Sequence, residues 1–533
     1  MSDPRHTEAV LDEPARRFWV GAEVVEGGVH FRVWAPARQH VYVHVDDNTY
    51  RLAYFYDNTY SILVPEAKAG SRYGFSLDDD DEVLADPASR WQPDGPHGLS
   101  AVTDDTAFQW QDGEWRGLSG DQIFYQMQVG TWAGAMRELP YLAELGITAI
   151  ELMPVADVLL WAPTHLYGTP DDFRRFVDAA HAAGIGVILD VVYDHLGPDG
   201  NHLLEFSPDY FTDRYENERG DAINFDGPRS GPVRDFITDN AAYWIRDFHL
   251  DGLRVAATQS MYDLSREHVL TLLSRRARKA AGERSILLIA ENEPQDVRVV
   301  QEYGFDALWN DDFHHSARVA LTGNTDADYR GTPQEFVSMA RHGFLYQGQW
   351  STGQKQHRGT PSRGLPRRSY VWYLQDHDQV APAALRAMTA LLLLGPAQPM
   401  LFQGQELAAP ALHRELIALR RSDRVFSDTS SYDVEGAVLS GRAFLLRYVH
   451  DDGDDRLIVV NLGEALILSP VPEPLLAPPR SRHWELLWSS EEPRYDGEGV
   501  TPPEVEGGWH FQAASTVVLA AKEGERRVSK ERI

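Results

Sequence analysis

The sequence predicts an α/β protein: a (β/α)8 TIM barrel flanked by an N-terminal β-sandwich and a C-terminal antiparallel β-domain. Three observations carry this prediction. The chain has 533 residues, too many for one hydrophobic core. Short period-2 apolar runs occupy both ends of it, as in small antiparallel β-domains. Between them, about 300 residues alternate strand-like apolar runs with amphipathic helical stretches, the pattern of a parallel sheet covered by helices.

Residues 1–16 are polar and charged and read as a tail. Residues 17–105 read as the sandwich, on the runs Val29–Trp34, Val41–Val45 and Tyr60–Val64, which Gly, Pro, Asp and Asn separate. The segment Asp86–Gly98 is dense in turn formers and reads as a connection between domains. Residues 106–424 read as the barrel. Its strands are expected at Ile123–Val129, Thr148–Met153, Gly186–Tyr193, Gly252–Ala257, Ile286–Ala290, Asp306–Trp309, Tyr370–Leu374 and Pro399–Phe402. Helical periodicity falls at Asp171–Ala183, Val233–Asp247, Ser265–Ala280 and Ala383–Leu394. A doubly wound open sheet is the alternative, but it would carry a glycine-rich phosphate turn after the first strand, and none is present. Residues 425–522 read as the C-terminal domain, on Ala443–Tyr448, Arg456–Asn461, Trp484–Trp488 and Ser515–Leu519, and 523–533 as a second charged tail.

Charge and cysteine content narrow the partners. A formal net charge of −30 repels phosphate backbones and anionic lipid, so neither nucleic acid nor a membrane is expected to bind. A neutral small molecule suits such a surface better, and a monomer is expected. No apolar run approaches a membrane span; the longest, Ala390–Gly395, reads as core. Without cysteine there is no disulfide, thiolate metal site or cysteine nucleophile, which fits a cytoplasmic protein. No metal is expected: His314 and His315 are adjacent on one segment, a poor geometry for a shared ion.

A barrel places its chemistry where strands run out into the following loops. The third expected strand ends in Asp190-Val191-Val192-Tyr193-Asp194-His195, and the fourth carries Arg254. The fifth runs into Glu291-Asn292-Glu293, and the seventh into Gln375-Asp376-His377-Asp378-Gln379. Each group alone could be a cap or an ion-pair partner. Together, carboxylates and histidines around one rim suggest glycoside hydrolysis, in which one acid protonates the leaving oxygen and a second carboxylate attacks the anomeric carbon.

These segments resemble the conserved regions of the α-amylase family, glycoside hydrolase family 13, and more narrowly the maltooligosyltrehalose trehalohydrolases. The narrower resemblance rests on Asp86–Gly98, Trp309-Asn310-Asp311-Asp312-Phe313-His314-His315, Leu321-Thr322-Gly323, Tyr346-Gln347-Gly348-Gln349, Phe402–Glu406 and Leu487–Glu491. It implies a carbohydrate-binding type of N-terminal sandwich and a retaining α-glycosidase without organic cofactor. The reaction implied is cleavage of the α-1,4 bond that releases trehalose from maltooligosyltrehalose. It further implies Glu291 as the acid/base, Asp378 as the carboxylate that stabilises the transition state, and His195 and His377 on the sugar hydroxyls. Asp190 and Arg254 support the site, and Asp311, His314 and Gln379 line it. The nucleophile falls at Ala256, where the resemblance implies an aspartate.

Further departures gather on the cleft. Gln126 and Gln128 stand where the pattern has Glu and His, and Asp194 and Asp376 replace Asn. The loop Gly130–Gly134 is short, Val158–Trp161 lacks a Gly-Tyr pair, and the segments after Gln379 and Glu406 are abbreviated. Two readings follow. One is a trehalohydrolase-type enzyme impaired by loss of its nucleophile. The other is a pseudoenzyme, a non-catalytic α-glucan-binding or protein-interaction module on the same fold. Arg254, deprived of an acidic neighbour at residue 256, is expected to pair with Asp190, Asp376 or Asp378. A plug formed by Trp132 or Trp161 would close the cleft to sugar.

Overall fold

The computed structural model describes residues 15–55, 57–78, 80–156, 159–374, 384–505 and 507–524. His377, Asp378 and Gln379, with Asp376, lie outside the described residues.

The N-terminal domain is a sandwich of two four-stranded antiparallel sheets. Gly21–Val25, Gly28–Trp34, Thr59–Val64 and Ala53–Tyr54 form one; Asn48–Arg51, Val41–Val45, Arg72–Leu77 and Ser100–Ala101 form the other. Period 2 sorts the side chains: Val41, Val43 and Val45 are buried while Tyr42 and His44 are only partly so. Arg16, which sequence places in the tail, is docked instead. Its guanidinium donates to the carbonyls of Phe18, Gly21 and His30, so it closes the entry to the first strand. A cluster of charges joins sandwich to barrel. Asp105 lies 2.7 Å from Arg174, 3.4 Å from Arg90 and 3.6 Å from Arg17.

Eight parallel strands close into a barrel: Phe124–Met127, Ala149–Leu152, Gly186–Val191, Gly252–Val255, Leu287–Ala290, Ala307–Trp309, Tyr370–Tyr373 and Gln398–Phe402. The eighth pairs with the first at Met400 and Phe124. All eight fall within or beside the expected runs, because strands buried on both faces read as short continuous apolar segments. Gly252 is required where it stands, since a Cβ there would lie 2.0 Å from the Leu287 carbonyl oxygen of the next strand. Outside the barrel, Pro170–Ala182, Ser230–Asp247 and Val269–Ala281 are helices close to those expected. The last begins four residues later than its periodicity suggests. His268 is its N-cap, and Asp263 accepts the Val269 N–H.

The C-terminal domain stacks a five-stranded antiparallel sheet on a three-stranded one. Arg456–Asn461 lies at the centre of the larger sheet and is buried along its whole length. One face of that sheet, which carries Trp484, clusters with Trp509 and Phe511 of the smaller sheet. The other meets the barrel, where Phe444 stacks on Phe336 at 5.5 Å and Thr516 donates to the Ala387 carbonyl. Asp433–Ser440, not read from sequence, is one of the two edge strands; its half-exposed residues obscure the alternation.

Candidate active site

Alternation decides which side chains enter the barrel. Its lower inward layer is apolar: Phe124, Ala149, Ile188, Ile289, Ala307, Val371 and Met400 share one buried cluster. Two residues further along, the same faces carry Gln126, Glu151, Asp190, Arg254, Trp309 and Tyr373, so the layer beneath the rim is polar. The next step on that face brings Ala256 from the fourth strand, and Glu291 follows Ile289 at the same spacing.

Arg254 organises this layer. One guanidinium nitrogen lies 3.6 Å from Asp190 and another 3.2 Å from Glu291, and the group sits 3.8 Å over the Trp309 ring. The expected pairing is met by Asp190, and Glu291 is an added partner. Glu291 also accepts the Ala257 N–H at 3.1 Å. Ala257 holds a left-handed backbone (φ 44°), a conformation that costs a non-glycine residue about 1 kcal/mol or more and aims its N–H at the carboxylate. Thr258 donates from both its N–H and its hydroxyl to the Glu291 carbonyl. The loop after the fourth strand thereby clamps the end of the fifth. Ala256, which opens that loop, is buried, with its N–H on the Val191 carbonyl of the third strand and a methyl group for a side chain.

Burial sets the electrostatics. It pushes the Asp190 carboxyl up to about 6 against the pull of Arg254, with Glu291 adding to the rise. Glu151 is wholly enclosed; burial and neighbouring Asp190 hold its carboxyl well above the usual carboxylate range. It accepts a 3.2 Å hydrogen bond from Gln126. On the opposite side, Asp311 accepts from the Tyr373 hydroxyl at 2.7 Å, and burial pushes it up to about 6. His314 stacks on Tyr373 and contacts the Leu374 carbonyl through Nδ1. His195 is half-buried and bonds Asp194 at 3.1 Å. A pocket of about 130 Å³ lies between His195, Asp190, Leu160 and Asn240.

The structure therefore joins Asp190, Arg254 and Glu291 in one contact set, with Ala256 two residues on from Arg254. Trp309 and Tyr373, 4.9 Å apart, connect that set to Asp311 and His314. Glu151 and Tyr373 were not singled out from sequence, although the inward parity of their strands marks both. Trp132 and Trp161 do not plug the cleft. Trp132 stacks on Phe173 among the helices, and Trp161 packs against Phe18 and Tyr243 beneath the sandwich. Among the described residues no group of three or more His, Asp or Glu side chains is placed to hold a metal ion. No helix is long and apolar enough to cross a membrane among the residues described.

Comparison with known proteins matches this architecture. Residues 20–89 fit the model of carbohydrate-binding module 48 (isoamylase N-terminal domain), 103–217 the α-amylase catalytic domain, and 433–509 a domain of unknown function, DUF3459. The chain is 38% identical over 430 residues to the malto-oligosyltrehalose trehalohydrolase of Deinococcus radiodurans, covering 73% of this chain and 70% of that protein. It is 39% identical over 425 residues to that of Arthrobacter ramosus, covering 71% and 73%. The chain belongs to the malto-oligosyltrehalose trehalohydrolase family.

Solved structures place the malto-oligosyltrehalose trehalohydrolase family fold in its wider setting. A 1.4 Å crystal structure from Salmonella typhimurium, of a protein provisionally described as an alpha amylase, superposes with a TM-score of 0.82 at 28% identity. The match covers 95% of this chain and all of that one. A pullulanase type I from Bacillus subtilis shares the fold at a TM-score of 0.71 and 17% identity, over 96% and 86% of the two chains.

Proposed function

We propose that this chain is a malto-oligosyltrehalose trehalohydrolase family member that holds a malto-oligosaccharide or maltooligosyltrehalose in the barrel mouth without hydrolysing it. The inward methyl of Ala256 carries the proposal. A retaining glycosidase needs a carboxylate about 5–5.5 Å from its acid/base to attack the anomeric carbon. With Glu291 as the acid/base, strand parity directs residue 256 to the attacking position, and alanine has no lone pair to offer.

What remains suits binding. Glu291, His195 and Asp311 present polar groups at the rim, and Asp378, His377 and Gln379 would complete the sugar contacts in this reading. Arg254, which would orient a nucleophile, is neutralised by Asp190 and Glu291, so the scaffold tolerates the loss. The packing of Trp132 and Trp161 away from the mouth supports access for a ligand. The alternative is a weakly active hydrolase using another carboxylate, and the observation that favours it is a buried oxygen of Asp194 that has no hydrogen-bond partner among the described residues.

Calorimetric titration with maltohexaose is expected to give saturable binding, with the oligosaccharide recovered intact by chromatography. Absence of binding would remove the glucan reading. Shortened products at an enzymatic rate would remove the non-hydrolysing one.

A further inference from the structure

Resting on that reading of the barrel mouth, we propose that Trp350 is a stacking platform for a glucose unit outside the cleavage subsite, giving the site a preference for longer α-1,4-glucans. Trp350 belongs to a two-stranded hairpin, Gln349–Ser351 paired with Gln356–Arg358, inserted between the sixth and seventh barrel strands. Alternation fixes its direction. Ser351 and Arg358 are buried on the inner side, so Trp350 and its cross-strand partner His357 share the outer face. Among the described residues Trp350 is the one tryptophan or phenylalanine more exposed than buried, at 57%. A lone exposed apolar side chain needs no explanation by itself; its attachment to the site does.

The hairpin is tied to the mouth from both sides. Gln354, in its turn, donates to Glu293 at 2.6 Å, two residues from Glu291. At its base Arg358 lies 3.3 Å from Asp312, the neighbour of Asp311, with its guanidinium over the rings of Tyr329 and Tyr346. Ser351 and Gly353 both donate to Asp328. The ring is thus carried on a braced arm, and little ordering is left for a ligand to impose.

The chemistry around the ring suits a sugar. The His357 edge meets the indole at 84° and 5.5 Å, a contact that leaves an indole face free. His357 Nδ1 contacts the Gly348 carbonyl at 2.8 Å; a carbonyl only accepts, so Nδ1 carries the proton and Nε2 of the neutral ring is an acceptor for a hydroxyl. An apolar ring face beside a hydrogen-bonding imidazole matches the alternating C–H and O–H surface of a pyranose.

The test is calorimetry of the full chain and its Trp350→Ala and Trp350→Phe variants with maltotriose and maltoheptaose. Native protein is expected to bind maltoheptaose more tightly. Trp350→Ala should weaken maltoheptaose about 10-fold and leave maltotriose within 2-fold, while Trp350→Phe retains most of the gain. Thermal unfolding of both variants should stay close to the native chain, because the ring is more exposed than buried and its described ring contact is with His357 alone. Equal affinity of native and Trp350→Ala proteins for maltoheptaose would overturn the platform and leave glucan binding at the mouth intact. Failure of the native chain to bind either sugar would overturn both.

Discussion

Trehalose release from maltooligosyltrehalose by this chain is expected to fall about 10⁴- to 10⁶-fold short of an aspartate-bearing relative, and Ala256→Asp is expected to leave at least about 100-fold of that deficit unrecovered. The deficit follows from removing the covalent step. The partial recovery follows from geometry. A nucleophile must be held within tenths of an ångström, and a 1 Å misplacement costs about 100-fold. In this chain Arg254, which would position the new carboxylate, is already shared between Asp190 and Glu291. Gln126 also stands in the layer below where the resemblance implies a glutamate. Paired assays of native and Ala256→Asp proteins under identical conditions decide the matter. Recovery of a full family rate would mean that one residue separates this chain from an active enzyme.

The second large effect concerns the junction of sandwich and barrel. Asp105→Ala is expected to destabilise the protein by about 3–5 kcal/mol, the range for breaking a buried ion pair from one side. Arg90 and Arg174 are 3% and 1% exposed, and each would lose its contact with Asp105 inside the protein. Burial alone would raise the Asp105 carboxyl, yet Arg90, Arg174 and Arg17 hold it below the usual carboxylate range. Asp105→Asn keeps an acceptor and should lose less. Urea unfolding monitored by tryptophan fluorescence reads both variants, and a loss under about 1 kcal/mol for Asp105→Ala would show that Glu23 and Asp171 suffice for the two arginines.

Legibility in the sequence followed the range of the forces involved. Barrel strands were readable because each is a short run buried on both faces, and the inward position of Ala256 follows from counting by two from Gly252. The Asp190–Arg254 contact was also legible, since a buried guanidinium needs a carboxylate and adjacent strands supply one. Partner choice beyond neighbours was not. That Glu291 shares Arg254 depends on how the Ala257 turn folds back on the fifth strand, and the Asp105 cluster gathers charges from residues 17, 90 and 174. The docking of Arg16 escaped for the same reason: three carbonyls, none of which leaves a mark in composition, hold it. Trp350 looked like any other tryptophan until the burial of Ser351 and Arg358 fixed which way the hairpin faces.

The central claim is that no side chain in this barrel attacks an anomeric carbon. Brief incubation with α-maltosyl fluoride, followed by intact-protein mass spectrometry and fluoride measurement, tests it most directly. An unchanged protein mass with fluoride released at the rate of a protein-free control is the predicted result. A maltosyl adduct on any residue, or fluoride released at a catalysed rate, would contradict it.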